Sequence, residues 1–180
     1  MLENVIKAID ENTTLTDDFK ENIKGLVIVF NNIFPNIDLR NLEERLKTLQ
    51  LEKSSKFISK RVFNYIPLTN VLSFNLEELD KGYDVKHVMM SALLTIMTSH
   101  DNTYGFDEND KFITFNTGYT EILSNFVIGN ESEKILFEDE VIATNLISEI
   151  VGNDTMFRAY FTNNPSLIEE KIKSYDMEMV

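Results

Sequence analysis

Apolar residues recur at helical spacing through the first 49 residues, in three stretches separated by polar breaks. The second stretch follows Thr16, a residue type that caps helix N-termini, and it ends before Pro35, which cannot continue a helix. Asp38 stands in the capping position of the third stretch. The pattern therefore predicts three consecutive N-terminal helices.

The spacing changes to period two after Arg61, where apolar and other residues alternate in 62–66 and again in 71–76. The turn sequence Pro67-Leu-Thr-Asn70 separates the two runs, and this combination predicts a β-hairpin. Asn75, followed three residues later by Glu78, resembles a capping box and predicts a short helix.

The most regular helical pattern begins at Asp84. One face carries an unbroken apolar stripe, formed by Val85, Val88, Met89, Ala92, Leu93, Ile96 and Met97. Another face of the same helix is polar and carries His87, Ser91, Thr95 and Thr98. A polar loop is predicted over 100–111, followed by helices over 115–126 and 135–151, the latter ending at Gly152, and by two short closing helices.

These elements predict an α+β fold that is mostly α, with one domain over residues 1–180. N-terminal helices occupy 1–60, and the hairpin and remaining helices occupy 61–180. The balance of 43% apolar and 26% charged residues is typical of a globular domain. The absence of cysteine excludes disulfides, thiolate catalysis and cysteine-based zinc sites.

The chain shows neither a basic segment followed by an apolar run at its start nor an apolar stretch of membrane-spanning length. We therefore expect a cytoplasmic protein that does not enter a membrane. The many Asn, Ile and Lys residues suggest an AT-rich genome, so we expect a bacterial or phage source.

The formal net charge of −13 is unevenly distributed. Residues 1–61 carry ten acids and ten bases, whereas residues 62–180 carry twenty acids and seven bases. The excess predicts either a solvated acidic surface or an acidic face for a basic partner. Direct binding to nucleic acid is not expected, because it needs clustered Lys and Arg. The one basic-leaning stretch, 40–61, is predicted to be a helix surface.

The segment Ser91-Ala-Leu-Leu-Thr-Ile-Met-Thr-Ser99 has the apolar skeleton of the His-Glu-x-x-His helix of zinc peptidases. In those enzymes two histidines one turn apart hold zinc, and the glutamate activates water. Ser91, Ala92 and Thr95 stand at these three positions. The resemblance implies a helix that has lost its ligands and its catalytic glutamate.

A second segment, Phe115-Asn-Thr-Gly-Tyr-Thr-Glu121, resembles the Asn-Glu-Gly-x-x-Glu helix of gluzincin peptidases. The first glutamate of that motif is the third zinc ligand, and Thr117 replaces it here, 22 positions after Thr95. Over residues 60–160 the chain thus resembles a degenerate gluzincin. The resemblance implies a zincin-like helical domain in which the vestigial positions 91, 95 and 117 surround one point, with no metal or other cofactor.

Other arrangements of the same residues remain open. A competing alignment places His87 and Ser91 on the motif and keeps one histidine. A metal site from His87, His100 and Glu121 is conceivable, and so is a nucleophile–base pair of Ser91 and His87. Otherwise, His87 is a residue of the polar helix face at the rim of the former site, and Glu121 is a solvated or hydrogen-bonded remnant.

The sequence thus predicts a catalytically inactive, zincin-like pseudopeptidase that acts as a binding or structural module for an unidentified protein partner. One alternative is an acidic interaction protein or inhibitor, such as a nucleic-acid mimic. Another is a hydrolase with a non-standard site.

Overall fold

The computed structural model describes residues 1–54, 61–106, 112–129 and 136–178. Helices dominate this part of the chain and a small three-stranded sheet accompanies them, so the predicted class, α+β and mostly α, is confirmed. In chain order the elements are α1 (Leu2–Glu11), α2 (Asp17–Ile33), α3 (Arg40–Thr48), β1 (Gln50–Ser54), β2 (Phe63–Ile66), β3 (Val71–Asn75), α4 (Leu76–Leu79), α5 (Val85–Thr98), α6 (Ile113–Val127), α7 (Glu138–Val151), α8 (Asn153–Phe161) and α9 (Ser166–Glu178).

Side-chain caps begin several of these helices where the sequence predicts them. Thr16, Asn75 and Asp84 each accept a hydrogen bond from the backbone amide three residues later, at 3.4, 3.3 and 2.7 Å respectively. Each bond satisfies an amide that the first helical turn leaves without a partner. Gly152, with a φ of 87°, ends α7 as expected.

The start of α3 differs from the prediction by one residue. Leu39, not Asp38, occupies the capping position, and no side chain caps the helix there. The Asp38 carboxylate instead accepts from the Arg40 amide at 3.0 Å and pairs with the Arg40 guanidinium. This pairing lowers the pKa of Asp38, through the side-chain hydrogen bond above all.

The sheet contains a strand that the sequence analysis missed. The predicted hairpin is confirmed, since β2 and β3 pair antiparallel from Phe63 opposite Phe74 to Ile66 opposite Val71. In addition, β1 pairs in parallel with the other edge of β3, which gives the order β1-β3-β2. The prediction that 40–61 is one helix surface is therefore wrong: α3 ends at Thr48, and residues 55–60 lie outside the described part.

Helix α5 is buried on all sides rather than on one stripe. It packs against α2, α3, α6 and β2, and each of its residues from His87 to Thr98 is buried. Its two threonine hydroxyls donate to carbonyls of the preceding turn, as in the bond from Thr98 Oγ1 to the Leu94 oxygen at 2.8 Å. The polar face predicted for this helix is therefore an internal surface.

One hydrophobic cluster joins side chains from Val5 of α1 to Ile168 of α9. Whether residues 1–180 unfold as one domain stays a prediction, which calorimetry can test.

Among the described helices, none combines the length and the apolar character that crossing a bilayer requires.

Candidate functional site

A cavity of about 60 Å³ lies where α5, α6 and β2 meet. Ser91 and Thr95 of α5 and Thr117 of α6 all line it. These three positions, which the resemblance predicts to surround one point, therefore line one cavity. The other described lining residues are Arg61, Val62, Phe63, Asn64, Tyr65, Tyr104, Thr120, Glu121, Leu136 and Phe137.

Two of the three hydroxyls are engaged within the protein. Ser91 Oγ donates to Ser124 Oγ at 2.7 Å, and Ser124 Oγ donates in turn to the Thr120 carbonyl at 2.6 Å. Thr95 Oγ1 donates to the carbonyl of Ser91 at 2.9 Å. These bonds join α5 to α6 at the cavity and satisfy the buried hydroxyls, which would otherwise be costly to bury.

His87 and Glu121 form a second contact between the same two helices. Their side chains are 2% and 3% exposed, and His87 Nε2 lies 2.7 Å from Glu121 Oε1. The two atoms are not aligned for a hydrogen bond, and His87 Nδ1 has no hydrogen-bond partner among the described residues. Glu121 Oε1 accepts from the amide of Leu136 at 2.6 Å, which fixes the chain just before α7.

This contact corrects the expectation for His87 and decides between the two alternatives for Glu121. His87 was expected on a polar helix face, at the rim of the site, but it is buried and contacts Glu121 rather than lining the cavity itself. Glu121 was expected to be solvated or hydrogen-bonded, and it is hydrogen-bonded and shielded from solvent. Both side chains are buried because several neighbouring elements pack around them. The residue pattern of a single helix gives no information about those neighbours.

The proposed site of His87, His100 and Glu121 is not assembled. His100 is exposed and its Nδ1 lies 3.1 Å from Thr103 Oγ1. His87 lies thirteen residues earlier along α5, which corresponds to roughly 20 Å of helix. Within the described residues, no three His, Cys, Asp or Glu side chains are grouped as metal ligands.

The proposed nucleophile–base pair is not assembled in this arrangement either. The hydroxyl of Ser91 donates to Ser124, while His87 Nε2 faces Glu121. Ala92, at the position of the peptidase glutamate, is 1% exposed and is not among the described lining residues. The geometry thus brings together positions 91, 95 and 117 but leaves position 92 outside the cavity.

Asn116 and Gly118 of α6 have structural roles. Asn116 Oδ1 accepts from the Phe106 amide at 3.0 Å, which holds the loop after α5 against α6. Gly118 faces the backbone of α7, where an added Cβ would lie 2.6 Å from the carbonyl carbon of Glu140 and closer still to its oxygen. A side chain at this position would therefore separate α6 from α7.

Three buried tyrosines lie in the same region. Tyr160 is fully buried, and its hydroxyl lies 2.6 Å from Thr120 Oγ1. Burial raises the pKa of Tyr160 and that of Tyr119, whose rings meet at a centroid distance of 5.2 Å. Tyr65 lines the cavity with its pKa raised by burial, and its hydroxyl donates to Asn70 at 2.8 Å.

Sequence reasoning missed Ser124 and Thr120, although both contribute to the bonds beside the cavity. The signal was their spacing from Thr117, since residues three, four and seven apart share one helix face. No family model, curated protein or solved structure matches the chain.

Proposed function

We propose that the chain is a non-catalytic binding module, a pseudopeptidase with a zincin-like helix arrangement whose cavity receives part of an extended peptide. One observation carries the proposal. Ser91, Thr95 and Thr117, which stand at the positions of the metal ligands in the resemblance, line a single cavity while offering only hydroxyls.

The chemistry of these groups supports binding rather than catalysis. Neutral hydroxyls are not among the usual ligands of zinc, and those of Ser91 and Thr95 already donate to other atoms of the protein. Glu121 is the one carboxylate among the described lining residues, and His87 and the Leu136 amide occupy it. Interactions that formerly required a metal are replaced by direct bonds between helices.

The sheet edge beside the cavity suits an extended peptide. Within the described residues β2 pairs only with β3, so its second edge offers unpaired backbone groups. Phe63, Asn64 and Tyr65 of this strand line the cavity. A peptide that adds to the edge would form main-chain hydrogen bonds while one side chain enters the cavity.

The geometric basis of the proposal is tested by rebuilding a zinc site. The triple variant Ser91→His, Thr95→His, Thr117→Glu should acquire about one zinc per chain, because three ligands would then face one cavity. A matched control carries the same histidines with Thr117→Gln, which has the shape of glutamate but not its charge. Loss of a residue that supports a zinc ligand lowers zinc affinity by about 10- to 100-fold. Loss of a ligand itself should cost at least as much, so the control should bind zinc at least tenfold more weakly.

Elemental analysis and competition with a chelating dye measure both affinities. Zinc retained by the original protein at one per chain would contradict the non-catalytic proposal. Equal affinity of the triple variant and its glutamine control would contradict the zincin-like arrangement.

Peptide binding is tested by selection from a random peptide library, followed by fluorescence anisotropy on the enriched sequences. Thr117→Phe fills the cavity and should weaken binding by about tenfold or more, equivalent to roughly 1.4 kcal/mol. Thr13→Phe, an exposed threonine in the loop after α1, is the matched control and should bind as the original protein does. Failure to enrich any peptide, or equal binding by both variants, would refute the proposed occupant.

A further inference from the structure

Helix α7 presents an apolar stripe that no described element covers. The α7 stripe consists of Ile142, Leu146 and Ile150, which are 53%, 63% and 50% exposed. They lie four residues apart and so share one face. Together they expose roughly 300 Å² of apolar surface, the lower end of the range for the largest patch on a soluble monomer, which is often functional. The opposite face of α7 is buried through Thr144, Ser148 and Val151.

Acidic side chains stand at both ends of the α7 stripe. Glu138, Asp139 and Glu140 form the first turn of the helix, Glu149 lies in the last, and α7 contains no basic residue. None of the four forms an ion pair with another residue of the described part of the chain. Helix α7 therefore combines an apolar stripe with acidic residues and carries no base of its own.

The charge pattern selects among possible occupants. A second copy packed through the α7 stripe would place acidic residues against acidic residues, whether the helices ran parallel or antiparallel. Phosphate-rich surfaces of nucleic acids and anionic membranes would be repelled as well. The complementary occupant is an amphipathic helix with an apolar stripe flanked by Lys or Arg, since opposite charges at an interface rim favour encounter and orientation.

We propose that the α7 stripe is a docking surface for a basic amphipathic helix of a partner protein. The surface is independent of peptide binding at the cavity, and either proposal can fail without the other. The apolar side chains would supply the buried contact, and the acids at both ends would select the charge of the partner.

The test uses a synthetic 18-residue helix of leucine and lysine, arranged with one apolar and one basic face, as a labelled probe. Leu146→Asp should raise the Kd for this probe by about thirtyfold or more, as for the loss of a central contact residue. Leu68→Asp, at a leucine 73% exposed in the turn between β2 and β3, is the matched control. Both variants add one negative charge. If charge alone attracted the probe, neither variant would bind it more weakly than the original protein does.

Binding weakened by Leu146→Asp but not by Leu68→Asp supports the proposal. Equal affinities of the two variants overturn it, and so does equal binding of a probe in which glutamate replaces every lysine. Sedimentation of the original protein as a dimer that Leu146→Asp dissociates would also overturn it, because the occupant would then be a second copy. Circular dichroism checks that both variants fold, which the exposure of both sites leads us to expect.

Discussion

Replacing Gly118 by alanine should destabilise the protein, although alanine is the better helix former. Gly118 lies within α6, and an added methyl group would meet the backbone of α7, with the Glu140 carbonyl carbon at 2.6 Å. Backbone atoms cannot rotate away as the end of a long side chain can. The helices would have to separate by about 1 Å to restore an ordinary contact near 3.5 Å.

The magnitude follows from two opposing terms. Alanine gains about 1 kcal/mol over glycine in a helix interior. Forcing an extra carbon into a packed contact costs about 1–3 kcal/mol, and the upper end applies here because rigid backbone is the obstacle. We therefore expect a net loss of about 2 kcal/mol, or a fall in Tm of roughly 4–8 °C for a chain of this length.

Gly25→Ala is the matched control. Gly25 also lies inside a helix, α2, but a Cβ there meets no atom within 4 Å. The helix-propensity term then acts alone, and we expect stabilisation of about 1 kcal/mol and a rise in Tm of roughly 2–4 °C. Urea denaturation and thermal melts would measure both variants. If Gly118→Ala were as stable as the original protein or more so, the close approach of α6 and α7 would be wrong.

Three further outcomes follow from the structure. His87→Leu should destabilise the protein by about 1–3 kcal/mol in urea denaturation, because the buried Glu121 would lose a polar neighbour, and the double change with Glu121→Leu should recover part of the loss; a neutral single variant would contradict this. Burial raises the pKa of Tyr160 and Tyr119 in the folded protein, so their contribution to folding stability should be intact below about pH 10 and be lost as pH rises above it. The part of the absorbance at 295 nm that these two phenolates contribute should appear only as the protein unfolds, and ionisation of all six tyrosines before unfolding would contradict this. Calorimetry should give one unfolding transition, because one hydrophobic cluster includes residues from α1 to α9. Two resolved transitions would contradict the prediction of a single domain.

The elements that sequence predicted best depend on neighbours along the chain. The caps at Thr16, Asn75 and Asp84 bond an amide three residues away, and the hairpin joins strands separated by a four-residue turn. Such contacts can be predicted from the residue types and their spacing within one short segment. The strand β1 cannot be predicted in this way, because its pairing with β3 joins residues about twenty positions apart.

For the candidate site, too, the sequence predicted some features and not others. The resemblance of 91–99 and 115–121 to two peptidase helices predicted that Ser91, Thr95 and Thr117 would converge, and they line one cavity. It did not predict the bonds that now join these helices, from Ser91 to Ser124 and between His87 and Glu121. These pairs lie more than thirty residues apart, and neither residue type nor spacing specifies the partner.

The sequence by itself determined the helical periods, the caps and the hairpin, because each is a property of one segment and its chemistry. Only the tertiary structure decided which faces became internal. His87 reads as part of a polar helix surface until α5 is enclosed by α2, α3, α6 and β2. The same packing leaves Leu146 of α7 exposed, although its spacing is that of a core residue. Burial depends on what packs against a helix. The sequence of an apolar stripe does not show whether the surface that covers it belongs to the same chain or to another.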